Sequence, residues 1–500
     1  MLTISLEIGS SAVKLAAASF DPDSPEAVSI LAIEEEPLTN NCVRFGRIQN
    51  VEDVKEQTLA ALERLAARPE LKEYDIKGVY ASLGGRSLMS YTKSASLEMP
   101  DERLIDEDII ERLRNDATAD IPDSKEVLEI IPLGFRVNGI STPRPIGAYG
   151  SRIEASFTVV VCAPQNSLNI SRVVEERLKL KICDWVVRPL AVADATLTVD
   201  DTKPGCMLVD FGAETTTVAI FKDQALRYVS TIPLGSAHIT RDLASVLGIT
   251  EDKAEAIKMR AANAYMGKQS TSPDQIEIDA ITQARVYEIV SNVAANIEYA
   301  GFKAADLRSG VVITGRGSKL RNMAQVVKDL CGMEVRTATL TSAIKIADAS
   351  ITPSDNTDII SVAYASTRIA QDEDVLPSAE PKPLPEPVQP QPEPEPEQPA
   401  QAIPVDEEPG YDIPDDHKLY VPEETAYSQP AASIDDDDPS LLSDDPEDSD
   451  DDNRPGNEPR KRSANAPKRK GIGFFNRTLA NIMGKAANLI DNESEGQDID

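Results

Sequence analysis

Two carboxylates placed beside glycine turns are the residues of this chain best suited to chemistry. Asp210 falls near the end of a short apolar run at 207–211, Gly212 opens a small-residue turn, and a second β-prone run follows at 216–221. The pattern predicts a hairpin whose turn, Gly212, Ala213, Glu214 and Thr215, offers adjacent backbone N–H groups beside a carboxylate. Such a concavity takes up phosphate oxygens, and the carboxylate suits a hydrated Mg²⁺ ion. A single copy would say little, since many hairpins carry an Asp and a Gly. The N-terminal run TISLEIGSSAVKL repeats it. Aligned on the glycines, Glu7 falls on Asp210, Gly9 on Gly212, Ser10 and Ser11 on Ala213 and Glu214, and Leu15 on Val218. Lys14, five residues after Gly9, either reaches a phosphate or is a surface lysine. A third piece, VVITGRGSKLRNM at 311–323, reads as strand, glycine turn (Gly315, Arg316, Gly317, Ser318) and helix, an arrangement that lets backbone approach a nucleotide.

To bring these pieces together, the chain needs two α/β lobes facing each other. Two carboxylate–x–glycine hairpins about 200 residues apart predict a duplicated α/β unit, one copy on either side of a polyphosphate. Between the hairpins, the pattern predicts an amphipathic helix at about 51–68 and a strand at 78–83. The character changes at Gly84. A GGRS loop, a polar strand, a charged helix near 106–117 and strands at 127–137 and 156–161 read as an inserted subdomain. A helix at 166–180, a strand at 185–187 and a helix at 190–199 lead into the second hairpin. Beyond it a long helical region runs to about Gly301, broken near 270–274, and a helix at 353–369 closes the folded part.

Five hundred residues exceed one ordinary domain, and 41% hydrophobic content is enough for a core in each lobe. The charge is unevenly placed. Residues 372–458 hold 28 Asp and Glu against three Lys and Arg, and residues 460–470 hold six Lys and Arg with no acid. The remaining body is mildly acidic, which argues against non-specific nucleic-acid binding. Five scattered cysteines, odd in number and without C-x-x-C spacing, read as reduced thiols of a cytoplasmic protein. His238 and His417, far apart, make a histidine-based metal or acid–base site unexpected. The N-terminus lacks a basic start and cleavage signal, and no apolar run approaches 18 residues, so neither secretion nor a membrane span is expected.

Residues 372–459 combine Pro-Glu repeats with Asp runs and are expected to form an extended acidic linker without a packed core. A basic amphipathic segment follows at 460–490. Phe475, Leu479, Ile482 and Leu489 fall on one helical stripe, with Phe474 and Met483 beside them, and Lys468, Arg469 and Lys470 precede it. The segment reads as an interfacial helix on an anionic membrane surface; a partner-binding helix is the alternative.

The runs LEIGSSAVKL, VYASLGGRSL, DFGAETTTVAIF, IPLGSAHITRDLA, DKAEAIK and VVITGRGSKL, in that order, resemble the actin/Hsp70/sugar-kinase ATPase superfamily. Within it they resemble the FtsA family of bacterial cell-division proteins, over roughly residues 1–370. The resemblance implies an α/β, actin-like two-lobed ATPase fold of duplicated RNase H-like domains. Lobe 1 (1A) would comprise 1–83, 164–205 and 350–371, and lobe 2 (2A) 206–235 and 306–349. Subdomain 1C would be the insertion at 84–163, and subdomain 2B would be 236–305. It implies ATP with Mg²⁺, the metal held through waters by Glu7 and Asp210. The two hairpin turns would cradle phosphates, with Thr216 and Gly235 added to the nucleotide set. Glu255 and Lys258, at i and i+3 of one helix, would touch ribose or base, or else form a surface ion pair. The residues around Gly315 and Gly317 would approach the adenosine.

Two motifs depart from the family pattern. A Gly-Gly-Gly-Thr core is replaced by Gly212, Ala213, Glu214 and Thr215, and Arg316 separates two glycines that are usually paired. A carboxylate in a phosphate turn costs Coulomb energy unless Glu214 points away or meets the metal, and Arg316 would compensate it by crossing the cleft. No residue stands out as a water-activating base, so a weak or negligible ATPase is expected. The family further implies polymerisation with copies of itself and contact between subdomain 2B and the C-terminal tail of FtsZ. Later division proteins would dock on 1C, and the protein would sit peripherally on the cytoplasmic face of the inner membrane at the septum. A PilM-like pilus-assembly protein and a superfamily sugar kinase are the alternatives.

Overall fold

The computed structural model describes residues 1–38, 41–265, 272–371 and 377–382. The basic amphipathic segment at 460–490 and all of the acidic linker except residues 377–382 lie outside them.

The duplication read from the hairpins is present as sheet topology. In the first sheet, Leu2–Ile8, Ala12–Asp21 and Ser24–Pro37 form an antiparallel meander. Gly78–Leu83 adds parallel to Leu2–Ile8, and Lys181–Val187 adds parallel to Gly78–Leu83. In the second sheet, Cys206–Phe211, Thr216–Lys222 and Ala225–Ile232 form the same meander. Val311–Thr314 and Val335–Thr337 add in parallel on the corresponding side. Both first strands are buried along nearly their whole length, as strands covered by helices on two faces must be.

Side-chain size explains how helices reach both faces of the first sheet. Ala16 and Ala18 point to one face of their strand and pack with Ile359, Ile360 and Ala363 of the helix Thr357–Ile369. Leu15 and Ala17 turn to the other face, with Val54, Ala61 and Leu65 of the helix Val51–Ala66. That second helix starts where Asn50 accepts hydrogen bonds from the Glu52 and Asp53 N–H groups. Each fully buried Leu, Ile or Phe in these layers contributes roughly 1.5–3 kcal/mol.

The segment beginning at Gly84 forms a subdomain with its own core. Met89–Leu104, Glu126–Val137 and Tyr149–Cys162 pair antiparallel, and the helix Glu107–Thr118, capped by Asp106, covers one face. Ile109, Leu113, Phe157 and Val159 meet beneath it. A single pairing, Ser230 with Met89, joins these strands to the second lobe's meander, so the second sheet has nine strands.

The expected helix at 166–180 is Pro164–Ser171 followed by a π-helical turn, Arg172–Arg177. The expected strand at 185–187 begins earlier, at Lys181, and the next helix begins at Arg188 rather than 190. The helical region after Leu234 divides into Ser236–Leu247, Glu251–Ala261 and Pro273–Tyr299. The linker expectation needs a correction at its start. Ala379–Pro381 pairs antiparallel with Tyr74–Ile76, and Ser378 is buried, its hydroxyl accepting from the Ile4 N–H at 2.9 Å. The two segments form a two-stranded ribbon of their own, and Ala379 and Glu380 keep the backbone N–H groups that Pro381 lacks.

Candidate functional site

The two hairpin turns and the glycine turn after Val311–Thr314 converge on one cavity. It is lined by Glu7, Gly9, Ser10, Ser11 and Lys14 from the first lobe, and by Asp210, Gly212, Ala213 and Thr215 from the second, with Gly315 and Arg316. Each turn is shaped by its own backbone: Gly9 N–H donates to Ala12 O at 3.0 Å, and Gly212 N–H to Thr215 O at 2.9 Å. The helix Ser236–Leu247 starts against the second turn, its Ser236 and Ala237 N–H groups donating to the carbonyls of Gly212 and Ala213. A Cβ on Gly235 would lie 2.5 Å from Ala213 O, so only glycine allows this approach. Gly315 adopts φ +82° and ψ 158°, a region open to glycine, and a Cβ there would lie 2.4 Å from Asp210 Oδ1. Thr216 and Gly317 are buried behind this surface, and the Ser318 hydroxyl donates to Gly315 O.

The floor of the cavity is an ionic cluster. Glu7 sits opposite Lys14 in the strand register, yet the Lys14 ammonium turns to Asp358, donating to both carboxylate oxygens at 2.8 and 2.6 Å. Arg188, the first residue of its helix, extends between the two hairpins. Its Nη1 donates to Glu7 Oε1 at 2.8 Å and its Nη2 lies 3.5 Å from Asp210 Oδ2. Burial pushes the Glu7 carboxyl up to about 7, with Asp358 adding to the rise and Arg188 and Lys14 opposing it. Burial likewise raises Asp210. For Asp358, burial is outweighed by Lys14, and the carboxyl is lowered. Burial also works against the Arg188 charge, and the carboxylates of Asp210 and Glu7 outweigh it.

The geometry decides between the readings open for Glu214 and for Glu255 with Lys258, and gives Arg316 a different partner. Glu214 points away from the cavity, where it accepts from the Phe45 N–H at 2.6 Å and pairs with Arg241 and, at 3.0 Å, with Arg44 Nε. Its charge is compensated there and not by Arg316, whose guanidinium reaches across to the Glu35 carboxylate and to Asp355 O. Lys258 bonds Ser236 O at 3.1 Å, Thr240 Oγ1 at 2.9 Å and Glu255 at 2.6 Å. Glu255 and Lys258 thus form an ion pair with each other and are not among the cavity-lining residues.

Further cavity-lining residues were not assigned to the site from the sequence: Arg188, Asp358 and Asn166, together with Ser82, Gly84 and Gly85 from the run VYASLGGRSL. The Asn166 amide holds the GGRS loop through Gly84 O and Ser87 Oγ. A charged residue at the junction of an apolar strand and a helix was the available signal for Arg188, and a basic partner far away in sequence gave none.

The family model "Cell division protein FtsA" matches residues 207–367, and "SHS2 domain inserted in FTSA" matches residues 85–161. A "Cell division protein FtsA" of Porphyromonas gingivalis is 29% identical over 321 residues, covering 61% of this chain and 66% of that protein. One of Neisseria meningitidis serogroup B is 24% identical over 372 residues, covering 71% of this chain and 87% of that protein. Among solved structures, a "PilM-PilN type IV pilus biogenesis complex" aligns at a TM-score of 0.52 and 16% identity, over 74% of this chain and 98% of that one. That likeness speaks to an actin-like fold alone.

Proposed function

The chain belongs to the FtsA family of cell-division proteins, and from that premise we propose that it is an ATP-binding, actin-like membrane tether for the FtsZ ring. The observation that carries the nucleotide part is the convergence of two equivalent hairpin turns and a glycine turn on one cavity between duplicated sheets. Phosphates would lie against the turns at residues 9–11 and 212–215, and the adenosine against Gly315 and Gly317. Magnesium held through waters by Glu7 and Asp210 fits this arrangement poorly, because the Arg188 guanidinium already stands between the two carboxylates, bonded to Glu7 Oε1 and 3.5 Å from Asp210 Oδ2, and a divalent ion there would face its positive charge. Among the described residues no group of three or more His, Cys, Asp or Glu is placed to hold a metal ion. Turnover of ATP is proposed to be weak or negligible, because Glu7, the cavity carboxyl raised to about 7, is engaged by Arg188.

Membrane attachment would come from the segment at 460–490, with Phe474, Phe475, Leu479, Ile482, Met483 and Leu489 entering the interface and Lys468, Arg469 and Lys470 on anionic headgroups. Among the described residues no helix is long and apolar enough to cross a membrane. The protein would act peripherally on the cytoplasmic membrane face at the septum. It would polymerise there, meet the FtsZ tail through residues 236–305 and take later division proteins on residues 84–163.

The test is co-sedimentation with anionic liposomes of the full chain, a truncation after Pro459 and Phe474→Glu/Phe475→Glu. The full chain is expected to pellet and to bring FtsZ with it, while both variants stay in solution. Equal behaviour of all three would remove the tether reading.

A further inference from the structure

Arg188 stands where a cation shared by the two hairpin carboxylates would be held. Its guanidinium lies between the carboxylates of Glu7 and Asp210, one from each hairpin, and lines the same cavity as both turns. The position is built. Arg188 follows the strand Lys181–Val187 directly, which fixes its backbone in the first lobe's sheet. The guanidinium rests on Gly84, where an added Cβ would already touch Cζ at 3.4 Å and Nε at 3.5 Å. Its side chain is 15% exposed, against 5% for Glu7 and 14% for Asp210.

We propose that Arg188 takes the part of the divalent cation in this cleft, so that a nucleoside polyphosphate binds through its phosphates to the guanidinium without needing a metal. The proposal rests on the reading of the cleft as a nucleotide site. A guanidinium carries five N–H donors in a plane, and two contacts with carboxylates leave others for phosphate oxygens. It keeps its charge at every accessible pH, and its fork matches phosphate geometry in a way a lysine does not. A divalent ion at the same carboxylates would stand beside this fixed positive charge, and the Glu7 oxygen that Arg188 leaves, Oε2, is buried without a hydrogen-bond partner. The separation between the hairpins is therefore bridged by an internal cation in place of an external one.

The experiment measures binding of a fluorescent ATP analogue to the full-length chain in EDTA and in Mg²⁺, for the unmodified protein, Arg188→Gln and Arg188→Lys. Circular dichroism establishes that each variant is folded. The unmodified protein is expected to bind with affinities within about threefold in the two conditions. Arg188→Gln is expected to lose about 10- to 100-fold in EDTA, the effect of removing hydrogen bonds to a charged group, and to recover part of it when Mg²⁺ is added. Arg188→Lys, with the charge but not the fork, should fall between. A tenfold or greater loss by the unmodified protein in EDTA would overturn the proposal while leaving the nucleotide site standing, as would Arg188→Gln binding normally in EDTA. No binding by the unmodified protein in either condition would overturn the nucleotide site itself, and the proposal with it. If Arg188→Gln does not fold, the metal dependence of the unmodified protein and the Arg188→Lys variant decide.

Discussion

Replacement of Glu214 by alanine tests whether this residue is a clasp between the lobes or a repulsive charge in a phosphate turn. Its side chain is 4% exposed and has three partners: the Phe45 N–H, Arg241 and Arg44. Arg44 and Arg241 are 36% and 28% exposed, so after the change both can turn to water, and the ion-pair part of the loss is modest. Glu214→Gln keeps an acceptor for the Phe45 N–H and loses only the charge, a cost of about 1–2 kcal/mol. Glu214→Ala also strands that N–H and removes packing, which brings the cost to about 2–4 kcal/mol. At about 2.1 cal/mol/K of unfolding entropy per residue, a body near 370 residues loses roughly 1.3 °C of Tm per kcal/mol, so alanine should lower Tm by about 3–5 °C. Thermal melts followed by circular dichroism read both variants, and a double-mutant cycle with Arg241→Ala isolates the pair. Nucleotide affinity should rise by no more than about threefold, because the carboxylate does not face the cavity. A fall below about 0.5 kcal/mol for alanine, or a gain in affinity of tenfold or more from removing the negative charge, would refute the clasp.

Glu129 supplies a pH-dependent counterpart. Burial, then Asp184, pushes its carboxyl up to about 8 against the pull of Arg114, and its Oε2 is buried without a hydrogen-bond partner. The native state thus holds a proton that the unfolded chain releases near pH 4.5, and stability falls as pH rises from there through about 8. Glu129→Gln should flatten that fall and stabilise the protein at pH 8 by an amount on the order of a few kcal/mol, read as Tm against pH. Gly315→Ala places a methyl against Asp210 Oδ1 and Phe211 O in a backbone region closed to alanine, so a loss of at least about 2 kcal/mol in urea titrations is expected. Ser378→Ala removes the acceptor for the Ile4 N–H in a buried site and should cost about 1–3 kcal/mol, whereas an unanchored linker would show no change in melting.

Short-range pattern in the sequence was enough to identify both hairpins, the inserted subdomain and most helices. Such elements follow from contacts within a few residues: β-prone runs around a glycine, Asn50 before the apolar stripe of Val51–Ala66, Asp106 before Glu107–Thr118. The repetition of carboxylate, glycine and small residues about 200 positions apart also carried the duplication, because an equivalent fold needs equivalent local signals. What each charged side chain does was settled only by the folded chain. Arg188 reaches a carboxylate 181 residues away, Lys14 turns to Asp358 in the cavity floor instead of to Glu7 opposite it in the strands, and Arg316 leaves Glu214 to Arg44 and Arg241. Ser378, in a stretch whose composition reads as linker, is held by the first strand of the chain. A long flexible side chain has no preferred partner along the sequence. Its partner is chosen by which opposite charges the packing of the sheets brings within a few ångströms, and by how much water that packing excludes.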